Sequence, residues 1–167
     1  TSYFNGMALR VMRALAYVRT LPEWNGKDLE ATGGSQGGLQ TIWAAALDPA
    51  VTKATPSIPW GCSWSAEARG YAKPDWGPAY VPGLDYYLPV NHARRIPATC
   101  RVDITRAGLG DYICPPAGVA RLYNALRCPK SVCWMQGSTH GYVPQPRERN
   151  QTQEFHAGTS ASPNGVR

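Results

Sequence analysis

The residues best suited to chemistry in this 167-residue chain are a serine set among glycines, an aspartate and a histidine, in the order Ser35, Asp111, His140. Ser35 lies in Gly33-Gly34-Ser35-Gln36-Gly37-Gly38, between a short strand-like run, Asp28 to Thr32, and a helix-forming run, Leu39 to Leu47, that closes at Asp48-Pro49. A serine on a sharp strand-to-helix turn projects its Oγ away from the sheet. Glycines around it, here Gly33, Gly37 and Gly38, remove Cβ atoms that would collide with backbone passing close by. The helix that follows directs N–H groups at any anion formed near the serine, and the N–H of Gln36 is the expected first oxyanion donor. Asp111 and His140 each lie just past a strand-like run, in Ala107-Gly108-Leu109-Gly110-Asp111 and Gln136-Gly137-Ser138-Thr139-His140-Gly141. Parallel strands all end on one sheet edge, so three such residues can converge. His140 would then take the proton of Ser35 as it attacks an acyl carbon, while Asp111 holds the imidazole tautomer and stabilises its cation. Singly, each residue has a plainer reading: a glycine-rich turn, an aspartate in a turn, a histidine on the surface. His92 and His156 compete for the role of base, but the first precedes a strand and the second lies in a polar C-terminal stretch.

The elements that must position these residues read as α/β. Phe4, Met7, Ala8, Val11, Met12 and Leu15 fall at helical spacing, and Leu21-Pro22 stops that helix. Val51 to Ile58 reads as a strand interrupted by Pro56, which with the helix before it makes one βαβ unit. Cys100, Val102 and Ile104 alternate with polar residues, as in a strand with one wetter face. Pro115-Pro116 opens a helix with Val119, Leu122, Tyr123 and Leu126 as its buried stripe, and Ser131 to Met135 is the last expected strand. Residues 59 to 99 form an aromatic and Pro-rich excursion from the sheet. Its aromatics are expected to cover one another and the sheet edge. The functional alternative is a substrate wall that includes Trp60, because aromatic faces suit sugar rings and acyl groups alike. The expected domain occupies 1–150, followed by a polar, loosely held tail over 151–167.

Composition limits the classes of function. Hydrophobic residues make up 43% and charged residues 17%, which describes a globular chain. Seventeen Lys and Arg exceed eleven Asp and Glu, yet the bases are scattered, so nucleic-acid binding is not expected. No run approaches a membrane span, and the first residues carry no targeting signal, so no membrane partner is expected. The five cysteines, Cys62, Cys100, Cys114, Cys128 and Cys133, include no Cys-x-x-Cys pair and suit neither a disulfide framework nor a zinc ribbon. Buried thiols are expected, with one disulfide allowed and the redox compartment open.

Three strings carry a family resemblance over about Phe4 to Pro144. They are Gly34-Ser35-Gln36-Gly37-Gly38; Gly108-Leu109-Gly110-Asp111 with Cys114-Pro115-Pro116 and Tyr123-Asn124-Ala125; and Thr139-His140-Gly141-Tyr142. Together they resemble the acetyl xylan esterase and cephalosporin C deacetylase group of the α/β-hydrolases. The resemblance implies part of an α/β-hydrolase fold, the C-terminal half of its catalytic domain, with nucleophile, acid and base at Ser35, Asp111 and His140. It implies a serine carboxylesterase that removes acetyl groups from sugar hydroxyls with no metal and no cofactor. It also implies a chain about twice this long, whose N-terminal half would supply the second oxyanion N–H and a neighbour for the strand before Ser35. The C-terminal helix that closes such a fold is at most short here. Two other readings remain: a serine peptidase of the prolyl oligopeptidase type, with the same residue order, and an inactive half-domain serving structure or interaction. A strand that leads into a strained serine turn should be held on both sides. Asp28 to Thr32 is therefore expected to pair with a second copy of the chain or with a missing N-terminal piece.

Overall fold

A computed structural model describes residues 3–68, 70, 76–149 and 151–158. In chain order the main elements are α1 (Tyr3–Val18), β1 (Glu30–Gly34), α2 (Gln36–Leu47), β2 (Lys53–Ser57), α3 (Trp64–Ala68), α4 (Pro89–Ala93), β3 (Arg101–Gly108), α5 (Pro116–Ala125), β4 (Lys130–Met135), α6 (Pro146–Arg149) and β5 (Glu154–Ala157), with a short 3-10 helix at Pro82–Tyr86 before α4. The strands form one sheet in the order β1-β2-β3-β4-β5. The first four run parallel, and β5 pairs antiparallel with β4. The α/β expectation and its strand order along the chain therefore hold.

Burial alternates along β2 and the first part of β3, where successive side chains point to opposite faces of the sheet. Ala54, Val102, Ile104 and Val132 join Ile42, Ala45, Val119 and Leu122 in the main core. The other face carries polar pairs: Lys53 Nζ lies 3.2 Å from Glu30 Oε1, and Arg101 Nε lies 2.8 Å from Asp103 Oδ2. Pro56 sits inside β2, where it can give no hydrogen bond to a ladder. The β2–β3 register shifts between Ala54 and Ser57 at this point. The α1 stripe splits between two clusters, with Leu15 in the main core and Met7 in the other. Beyond the end of α1, Arg19 Nη1 meets the buried carboxylate of Asp48 at 2.5 Å, which ties α1 to the C-terminus of α2.

The second cluster contains the aromatic excursion. Trp43, Trp60 and Trp64 are buried there with Leu84 and Leu88, and Phe4, Tyr80 and Tyr87 pack against it. The expected mutual cover holds for Trp60, Trp64, Tyr80 and Tyr87, whereas Trp76 and Tyr86 are exposed; Tyr71 and Pro74 lie outside the described residues. All five cysteines are buried thiols. The stretch expected as a loose tail supplies β5 instead, since the outer edge of β4 presents unpaired backbone groups that a short strand can satisfy. Its remainder, 159–167, lies outside the described residues. At the opposite edge β1 has β2 as its one neighbour among the described residues. Every β1 residue is exposed or half-buried.

Candidate functional site

Ser35 stands at the junction of β1 and α2 with φ 53° and ψ −115°, outside the regions an ordinary L-residue prefers. Such a backbone costs ~1–3 kcal/mol and persists where its surroundings over-determine it. Here its amide donates to Ser57 O at 3.0 Å, and its carbonyl accepts from Leu39 N and Trp60 N, both at 3.1 Å. The neighbouring glycines explain the closeness. A Cβ on Gly33 would stand 2.6 Å from the carbonyl of Gly37, and one on Gly38 would stand 2.9 Å from Pro59 Cα. Gly37 differs from expectation, because nothing lies within 4 Å of its Cβ position. Gln36 opens α2, so its N–H belongs to the unsatisfied first turn, while its side chain donates to the Tyr3 hydroxyl at 3.1 Å.

Asp111 and His140 come together. Asp111 Oδ2 accepts from His140 Nδ1 at 3.1 Å, and its Oδ1 accepts from the amides of Ile113 and Cys114 at 2.9 and 2.8 Å. The aspartate is 3% exposed. A carboxylate held in this way fixes the Nδ1–H tautomer of the ring and leaves the Nε2 lone pair available. Asp111 is placed by the turn after β3, where its amide donates to Gly108 O at 3.1 Å. His140 is placed by a loop that folds back on the same turn, with Gly110 N donating to Ser138 O at 3.0 Å. No hydrogen bond joins Ser35 to His140 among the described residues.

The competing histidines are accounted for. His92 is 6% exposed, its Nε2 donates to Tyr86 O at 2.8 Å, and its ring packs against Trp43. Burial pushes its pKa below the usual value of 6.5; the Tyr86 hydrogen bond opposes this and Arg95 adds to it. His156 lies on β5 opposite Cys133. Trp60 is 6% exposed, and its indole N–H donates to Trp76 O at 2.6 Å. It lies edge-on to Trp64 at 4.7 Å, and its backbone amide reaches Ser35.

Two residues that sequence reasoning passed over help hold the site. Arg106 Nη2 donates to His140 O at 3.0 Å, from a position in step with Val102 and Ile104 that breaks the alternation of β3. Ser138 is fully buried and donates from Oγ to Tyr142 O at 3.0 Å, closing the histidine loop. Neither carries a motif signal.

Residues 1–69 match the acetyl xylan esterase (AXE1) family model. The acetyl esterase Axe7A of Xylanibacter ruminicola is 36% identical over 137 residues, covering 77% of this chain and 30% of that protein. The family match thus rests on residues 1–69 of the chain. Among solved structures, the acetyl xylan esterase from Paenibacillus sp. R4 aligns with a TM-score of 0.71 at 27% identity, over 89% of this chain and 51% of that one. Acetyl xylan esterase 1 from a Thermoanaerobacterium species aligns with a TM-score of 0.66 at 24% identity, over 83% and 48%, a likeness of fold alone. The chain thus has part of the α/β-hydrolase fold of these esterases and spans about half the length of the solved ones.

Proposed function

We propose that the chain is the serine-bearing part of a carboxylesterase that removes acetyl groups from sugar hydroxyls. The observation that carries this reading is the Asp111–His140 pair at 3.1 Å, on the same sheet edge as a strained serine turn, in a chain that matches acetyl xylan esterases. Ser35 Oγ attacks the acetyl carbonyl and passes its proton to His140 Nε2. Asp111 stabilises the imidazolium, and Gln36 N–H stabilises the oxyanion. His140 then returns the proton to the departing sugar oxygen, and water, activated by the same ring, releases acetate. Catalytic hydrogen bonds often tighten only when substrate is bound, so this role does not require a Ser35–His140 hydrogen bond in the free chain. Trp60 supports the serine turn through its backbone amide, which donates to Ser35 O. The substrate in this reading is an acetylated carbohydrate, and the ester chemistry uses no cofactor.

The test has two parts. Reaction with a fluorophosphonate probe reports an activated serine, and labelling is expected to vanish in Ser35→Ala and fall sharply in His140→Ala. Absence of labelling would establish the inert half-domain reading. Turnover of p-nitrophenyl acetate and acetylated xylan, set against a proline-containing peptide amide, decides the class. Peptide cleavage without ester preference would establish a peptidase.

A further inference from the structure

On the sheet face opposite α2 and α5, the β4–β5 border carries a second group of reactive side chains that ester chemistry does not use. The antiparallel register sets Cys133 directly opposite His156, and Met135 opposite Glu154. Glu154 and His156 are two residues apart on β5 and so share a face, while directly opposed strand residues bring their Cβ atoms to ~4.5–5.5 Å. Cys133 Sγ, a ring nitrogen of His156 and a carboxylate oxygen of Glu154 accordingly lie within 4.8 Å of one another. All three line a cavity of about 450 Å³, with Asp103, Ser131 and Arg149 also in its wall.

We propose that Cys133, His156 and Glu154 form a binding site for a divalent transition-metal ion of the zinc class. Thiolate and imidazole together select zinc, cobalt or copper over magnesium or calcium, and three protein ligands leave the fourth tetrahedral position to a water from the cavity. Ligand atoms on a tetrahedral zinc ion stand roughly 3.3–3.8 Å apart, from bond lengths of ~2.0–2.3 Å. The two exposed β5 side chains supply the movement of about 1 Å that closes this gap around the buried sulfur. Charge balances: the Cys133 thiol gives its proton to solvent as the metal–sulfur bond forms, and thiolate plus carboxylate offset the dication. Arg149 is the competing cation, with its Nε 3.7 Å from Glu154 Oε1. That Nε also donates to Pro144 O at 2.8 Å, so Arg149 keeps a partner when the carboxylate turns to the metal. The bound ion staples the four-residue β5 to β4 and closes that edge of the sheet.

Asp111, Cys114 and His140 form a second group within the same 4.8 Å limit, so the experiment is done in a Cys114→Ser background. Cobalt(II) titration of this chain should produce a thiolate-to-cobalt charge-transfer band that zinc abolishes, together with a rise in melting temperature. Adding Cys133→Ser should remove the band. His156→Ala should weaken cobalt binding by no less than the roughly 10–100-fold that loss of an outer-shell partner costs. Cys133→Ser alters one buried atom and His156 is exposed, so circular dichroism should report a native fold in both. No band at saturating cobalt, or a band that survives Cys133→Ser, overturns the assignment.

Discussion

Gly108→Ala tests whether the histidine loop is positioned by backbone contact with the end of β3. An alanine Cβ at this position would stand 2.7 Å from Ser138 O and 3.2 Å from both Ser138 C and Oγ. Ordinary contact begins at 3.4 Å, so about 0.7 Å must be found between two backbone segments rather than at the end of a flexible side chain. The displaced carbonyl is the acceptor of Gly110 N, one residue before Asp111, and it lies two residues before His140. Overpacking of this kind costs ~1–3 kcal/mol. In a domain of this size that lowers the melting temperature by roughly 2–12 °C. A shift approaching 1 Å in a catalytic group slows its chemistry by up to ~10²-fold, so fluorophosphonate labelling of Ser35 should slow roughly 10–100-fold. Gly141→Ala is the control, since it lies in the same loop with nothing within 4 Å of its Cβ position. It should label at the parental rate. A Gly108→Ala chain that melts and labels like its parent would refute the idea that β3 sets the position of His140.

Other expectations rest on separate contacts. Arg106→Met removes the charged donor to His140 O, a bond of a class worth roughly 1.5–3 kcal/mol, and should lower kcat for p-nitrophenyl acetate while leaving KM unchanged; an unaltered kcat would show that the loop holds itself. His92 has a folded pKa below its ordinary 6.5, so the unfolded chain binds the proton more readily. The stability this contributes is present above pH 6.5 and falls as pH drops from there through the depressed folded value; melting curves across this window should flatten in His92→Gln. Unpaired on one side among the described residues, the β1 edge runs beside an apolar cleft of about 370 Å³ between α1 and α2, and is expected to pair with a second copy or with an N-terminal piece of a longer chain. Light scattering should give a concentration-dependent mass, whereas a monomer with strongly protected β1 amides would show that the edge is closed internally.

The sequence alone determined the local elements and marked the residues proposed for the chemistry, because both are written at short range. The glycines around Ser35, the 3.6-residue spacing in α1 and α5 and the alternation in β3 each act within a few residues of chain. Turns after β3 and β4 likewise marked Asp111 and His140 as strand-end residues before any contact was known. What the tertiary structure decided was pairing at a distance. It brought His140, rather than His92 or His156, to Asp111, because the loop after β4 hydrogen-bonds to the turn after β3. It assigned Arg106 to the histidine loop, although in sequence that residue is one of many scattered bases. It also turned the polar stretch after Gln151 into β5, which no hydrophobic pattern announces, since four residues gain their strand conformation from the free edge of β4 rather than from their own propensities.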